Sequence, residues 1–254
     1  MKNEGSLVTR LSAAGLDWIV PDWPVPPHIH ALSTTRHGAR GSVLDFGHRR
    51  GDAASSRRQL SQWLPNEPVW VAQAHGNIII DADREEARAT RCKGDGIVSR
   101  VIDRPCVVLT ADCLPVLLTD RQATVVAAVH AGWRGIAAGV LEAAITALKA
   151  SPARVLAWLG PAIGAEAFEV GRDVLEALCE GDSGATACFK PRGSSKWLAD
   201  LYALARRRLS RAGVDAVYGG GRCTFNEREA FHSYRRDGPE ASGRMATVIW
   251  RTGA

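Results

Sequence analysis

The sequence predicts an α/β protein: a single-domain, layered mixed-sheet sandwich with flanking helices, spanning residues 1–254. Two observations carry this. Short apolar runs rich in Val, Ile and Thr recur along the whole chain, and a few segments of helical apolar spacing interrupt them. A third supports one domain: no internal repeat, low-complexity stretch or charged linker divides the chain. With 254 residues, 46% hydrophobic and 23% charged, the chain can bury a sizeable core.

Taken in order, Pro24, Pro26 and Pro27 mark a turn or edge segment. Strands are then expected at His30–Thr35, Val69–Gln73, Asn77–Asp81, Ile97–Ser99, Cys106–Leu109, Val116–Leu118 and Thr124–His130. Further strands are expected at Arg154–Leu159, Asp215–Tyr218 and Ala246–Trp250, because β-branched residues favour the pleated surface. Helical spacing predicts Ile136–Ala150, which follows Gly135, and a short helix at Asp173–Glu180. Trp197–Ala212 is the clearest, with Leu198, Leu201, Leu204, Ala205 and Leu209 on one face and Gly213 as its stop.

Charge and cysteine usage narrow the function. The net charge is +5, which suits anionic small molecules. Its densest cluster, Arg206–Arg208 with Arg211, sits on an expected helix and reads as a solvated face, not a nucleic-acid stripe. The six cysteines form no C-x-x-C pair, which points to reduced thiols in a cytoplasm. The N-terminus has no signal-peptide core. The longest apolar stretch, Thr124–Ala150, carries His130, Arg134 and Glu142, so no membrane span is expected. A monomer or weak homodimer is expected.

Three residues stand where strands meet turns: His75 in QAHG, Cys113 in TADCLP and His130 in VHAGWRG. A catalytic zinc takes three such ligands and keeps one position open. Asp112 is placed to orient a ligand or accept a proton. Gly132 and Gly135 flank Trp133 and Arg134 and let backbone approach a ligand. A helix beginning near Ile136 would aim its amide end there. Read singly, each residue is equally a core or turn residue, and the long spacing matches no short zinc motif. A second cluster, CTFNEREAFHSYRRDG with Arg244, reads either as a charged loop or as an anion clamp. A third, STTRHGARGSVLDFGHRRGD, holds Arg36, Gly38, Gly41, Gly47 and Gly51, but lacks the G-K-[ST] ending of a Walker site.

TADCLPVLL, AAVHAGWRG, WLGPAIGAEAFEVG and FHSYRRDG…GRMA together resemble the bacterial laccase-domain family, from Asp17 to Trp250. Its members have been called polyphenol oxidases, purine nucleoside phosphorylases and peptidoglycan editing factors. The resemblance implies an α/β/α-type layered fold with a catalytic zinc, copper in some relatives. The family's ligands fall on His75, Cys113 and His130. It further implies catalytic roles for Asp112, Cys113 and Arg134, and substrate contacts from Arg36, Arg57, Gln73, His232, Tyr234 and Arg235. Two departures stand out: Asp45 replaces the Asn of the family's S-L-N-L-G, and Ser56-Arg57 replaces its N-R ahead of the first helix.

The implied chemistry is zinc-dependent phosphorolysis of adenosine, inosine, guanosine and methylthioadenosine, with phosphate as co-substrate, plus adenosine deamination. This makes the protein a transferase and hydrolase whose partners are purine nucleosides and phosphate. Phosphate would be held by Arg36, Arg134 and Arg235. The alternative is an amidase that releases L-serine from UDP-MurNAc-L-Ser. Copper polyphenol oxidation is disfavoured by counting. The histidines of a trinuclear copper cluster alone outnumber the seven present, and only Met1 and Met245 could serve as a weak axial ligand.

Overall fold

The computed structural model describes residues 6–47, 53–89 and 92–253. Met1, His48 and Gly51, singled out above, lie outside the described residues.

The strands are β1 (Ile29–Ser33), β2 (Ile79–Asp81), β3 (Gly96–Ser99), β4 (Cys106–Thr110), β5 (Leu114–Asp120) and β6 (Val126–Ala131). They continue with β7 (Val155–Leu159), β8 (Glu169–Val170), β9 (Phe189–Arg192), β10 (Lys196–Ala199), β11 (Ala216–Gly219) and β12 (Met245–Arg251). A six-stranded mixed sheet runs β11-β7-β5-β6-β3-β2 and a three-stranded antiparallel sheet runs β1-β12-β4. A small sheet, β8-β10-β9, sits apart from both.

The helices are α1 (Leu7–Ala13), α2 (Ala53–Ser61), α3 (Glu85–Ala89), α4 (Trp133–Ala137), α5 (Val140–Leu148), α6 (Arg172–Cys179), α7 (Leu201–Arg211) and α8 (Tyr234–Ala241).

Strand periodicity builds the layers. Val116 and Leu118 of β5 face Leu141, Ile145 and Leu204 of α5 and α7. Leu117, between them, faces the other way and packs with Ile29, Val108 and Ile249 of the three-stranded sheet. The far side of that second sheet, with Leu32, Val107, Val248 and Trp250, meets Leu11, Phe46 and Leu60. The molecule is thus a sandwich of two sheets with helices on both outer faces.

Three expected elements are redrawn. The helix expected at Ile136–Ala150 begins earlier, at Trp133, and breaks at Gly139, whose φ of 83° lies in the left-handed region. The helix expected at Trp197–Ala212 loses its first turn: Trp197 and Leu198 pair as strand with Val170 and Glu169. Asp200 then caps α7 by accepting from the Ala203 N–H at 3.0 Å. The expected strand Val69–Gln73 forms only two isolated bridges, Val69 to Cys106 and Ala72 to Lys93. Its neighbour β4 already pairs with β12, and Gln73 uses its side chain in place of a ladder. That amide donates to Leu109 O and accepts from Leu109 N, both at 2.8 Å.

The arginine cluster on α7 does not form a free basic face. Arg206 donates to the carbonyls of Val217 and Gly219, and Arg208 pairs with Glu142. Arg207 and Arg211 both grip Asp182. Among the described residues no disulfide joins the cysteines, and no helix is long and apolar enough to cross a membrane.

Candidate metal centre

One end of the six-stranded sheet gathers the site. The chain leaves the β1-β12-β4 sheet at Thr110, turns through Ala111, Asp112 and Cys113, and enters the six-stranded sheet as β5. β6 ends beside this turn, with His130 in register with Pro115. The third segment, carrying His75, arrives from the loop before β2. The imidazole and thiol donor atoms of His75, Cys113 and His130 all lie within 4.8 Å of one another. The two imidazole rings meet edge to face, 4.8 Å between centroids.

The donor chemistry fits a metal. Two imidazoles and one thiol give three donors around one point, a set that suits a transition-metal ion with a coordination position left open. Gly132 shows that the pocket between them has no spare room. A Cβ there would sit 2.9 Å from Cys113 Sγ and 3.2 Å from His75 Cδ2. Charge also suits the role. Burial pushes the Cys113 thiol up, but the charge of His130 and hydrogen bonds from both imidazoles prevail and bring it down to about 6. Burial pushes His130 down, but the Cys113 charge and the Asp95 hydrogen bond prevail and raise it to about 9. The metal-free centre therefore favours a thiolate beside an imidazolium.

Sequence reasoning missed Asp95, a buried carboxylate hydrogen-bonded to two of the three candidate ligand residues. It is 1% exposed, and its Oδ1 accepts from His130 Nδ1 at 2.9 Å. The same carboxylate accepts from the backbone N–H groups of Ala74, His75 and Gly76. The signal was present: Asp95 stands between Gly94 and Gly96, where any Cβ would strike Ile80 or Ile79 of β2. Asp112, expected to orient a ligand, does something else. Its Oδ1 accepts from Thr224 Oγ1 at 2.6 Å. Its Oδ2 accepts from Ser233 Oγ at 3.0 Å and from the Arg235 N–H at 2.6 Å. It ties α8 to the Cys113 turn.

The centre opens into a cavity of about 570 Å³. Arg134, Arg235 and Arg244 line it, each stacked on an aromatic ring: Trp133, Phe168 and Tyr234 respectively. Gln73, Tyr234, Arg134 and Arg235 are therefore in the cavity wall as expected. Three expected substrate contacts are not. Arg36 donates to the Arg228 carbonyl, and Arg57 lies over Trp70 inside α2, not ahead of a helix. Buried His232 is hydrogen-bonded through Nε2 to Leu44 O. Arg244, which the sequence reading did not assign to substrate, lines the cavity instead, and Asp45 holds its backbone by accepting its N–H at 2.9 Å. The adjacent Arg236 is structural: it donates to the carbonyls of Thr224, Phe225 and Phe231. The amide end of α4 begins at Trp133, but that helix is a single five-residue piece and adds no anion site of its own.

Known proteins resemble this chain over most of its length. The profile of the family described as multi-copper polyphenol oxidoreductase laccase matches residues 30–252. A Shigella flexneri protein named purine nucleoside phosphorylase YfiH is 46% identical over 242 residues, covering 91% of this chain and 98% of that one. A Pseudomonas aeruginosa protein, also named a purine nucleoside phosphorylase, is 41% identical, covering 92% and 98%. The crystal structure of a Neisseria meningitidis protein superposes with a TM-score of 0.86 at 45% identity, covering 93% of this chain and all of that one. The match runs through every strand that carries the cluster, so the chain belongs to the multi-copper polyphenol oxidoreductase laccase family.

Proposed function

We propose that the protein is a zinc-dependent purine nucleoside phosphorylase that also deaminates adenosine. The observation that carries this is the shared cavity, where the His75–Cys113–His130 cluster and three guanidinium groups line the same walls. Arg134, Arg235 and Arg244 suit a phosphate, because guanidinium forks bind tetrahedral oxyanions through paired N–H groups. Trp133, Phe168 and Tyr234 offer apolar faces to a purine. A zinc ion held by the three ligands supplies Lewis-acid activation of a nucleophile.

In phosphorolysis a phosphate oxygen attacks C1′ of the ribose and the C1′–N9 bond breaks. The base leaves with that electron pair and takes up a proton, giving free purine and ribose 1-phosphate. The arginines hold the attacking phosphate and the rings keep water from competing. In deamination water adds at C6 of adenosine and ammonia leaves, without phosphate. The names of the relatives support the first activity. Copper oxidation has less support. Among the described residues only one cluster has metal-ligand geometry, and the Met245 sulfur, in β12, accepts from the His232 N–H and is not part of that cluster.

The test is a substrate panel on zinc-loaded protein. Ribose 1-phosphate that appears only with added phosphate is the expected result. Serine release from UDP-MurNAc-L-Ser with no nucleoside turnover would overturn the reading. Cys113→Ala should lose both zinc and activity.

A further inference from the structure

We propose that Asp95 is the positioning residue that assembles the metal centre, fixing His130 and His75 together before any metal arrives. The inference rests on the metal reading above and goes beyond the three ligands. Every donor to the Asp95 side chain belongs to a ligand residue or to a neighbour of one. His130 is held twice: its Nδ1–H donates to Asp95 Oδ1 at 2.9 Å, and its backbone N–H donates to Asp95 O at 2.7 Å. The first bond keeps Nδ1 protonated, so the proton that a cation displaces is the one on Nε2, the ring atom that then binds it.

His75 is held through its backbone. Its φ is 60°, in the left-handed region that a side chain other than glycine seldom adopts. Nothing in the sequence QAHG supplies that conformation. Asp95 does: Oδ1 accepts from His75 N at 2.8 Å and from Ala74 N at 3.1 Å, while Oδ2 accepts from Gly76 N at 2.7 Å. Three consecutive amides wrapped on one carboxylate form an anion nest, and a full negative charge holds it better than an amide oxygen would. Asp95→Asn keeps the volume but can accept with only one atom. Its NH₂ must then face either the nest or the His130 N–H. A buried Asp at the start of β3 thus couples ligands that lie 55 positions apart.

The experiment compares wild type, Asp95→Asn and Asp95→Ala, each stripped of metal and titrated with zinc against a competing chelator. Wild type should bind one zinc per chain. Both variants should bind about 10- to 100-fold more weakly. Their metal-free melting should stay cooperative, and excess zinc should restore the zinc-dependent gain in Tm. Cobalt-loaded variants should show an altered visible spectrum, because His75 and His130 are no longer pre-set. A variant that binds zinc within about twofold of wild type would overturn the inference and leave the metal reading intact. A variant that stays unfolded in excess zinc would overturn it too, since Asp95 would then serve the whole fold. A wild-type chain that takes up no zinc overturns the metal reading itself.

Discussion

At the scale of single residues, the centre works by close approach and shared charge. Gly132 has an ordinary extended φ of −70°, so its backbone would tolerate alanine. What would not tolerate it is Cys113 Sγ, 2.9 Å from the new Cβ. Gly132→Ala is therefore expected to fold normally, lose zinc affinity and lose about 10²-fold in activity, the usual cost of a displaced reacting group. Metal content and kcat measured on the same preparation check this. The pH behaviour follows from the two shifted groups. A bound metal needs Cys113 as thiolate and His130 neutral. Between about 6 and 9 the metal-free centre already has the thiolate, and binding expels only the His130 proton. Zinc affinity should thus fall about tenfold for each unit the pH drops within that range, and more steeply below it, where Cys113 must lose a proton as well. Chelator competition across the range reads both slopes, and a flat profile would contradict the thiolate–imidazolium pair.

At the scale of elements, α8 delivers Tyr234 and Arg235 to the cavity, and Asp112 sets where it starts. Ser233 caps the helix by accepting from the Arg236 N–H at 3.2 Å, while donating its own proton to Asp112. Asp112 pays for this with a φ of 81°, a strained value for its residue type. Asp112→Asn would turn one of its two acceptor atoms into a donor, set either against Thr224 Oγ1 or against the Ser233 hydroxyl and the Arg235 N–H, at a cost of about 1–3 kcal/mol. The expected outcome is a lower Tm and a raised KM for phosphate with zinc still bound, read by calorimetry and steady-state kinetics. A variant that loses zinc while KM holds would move Asp112 to the metal side. The sequence showed the two metal strands and the Cys113 turn plainly, because β-branched runs ending at chemically distinctive residues are local signals. It did not show α8. That segment is two short helical pieces joined at a kink, where Gly238 has a non-helical φ of 73° and Pro239 follows, so no continuous helical pattern runs through it. The expected helix Trp197–Ala212 misled for the opposite reason: its leading Trp and Leu fit a helical face as well as a strand, and only the pairing with β8 decides. Asp95 was missed because its flanking Gly94 and Gly96 signal a tight backbone approach but not the distant amides and imidazole that its carboxylate binds.

At the scale of the whole molecule, layering was legible and charge pairing was not. Alternation along β5 already sends Leu117 to one core and Val116 and Leu118 to the other, which is what two sheets back to back require. The arginines of α7 read as a solvated face in one dimension, yet in the fold they reach across to other segments. Asp182 is the clearest case. Hydrogen bonds from Arg207 hold its carboxyl well below the usual carboxylate range; burial opposes this, and Arg211 adds to it. A carboxyl depressed in the folded state stabilises the fold above its unfolded pKa, and that contribution is lost progressively as pH falls from the ordinary carboxylate range down through the depressed folded value. Asp182 joins the segment after α6 to α7, so its loss loosens the helical layer over the large sheet. Asp182→Asn should therefore lower Tm at neutral pH, and the gap to wild type should close as the pH drops below about 4. Thermal melts of both proteins over an acid series test this. A gap that persists unchanged into strong acid would show that Asp182 contributes through its shape and not through its charge.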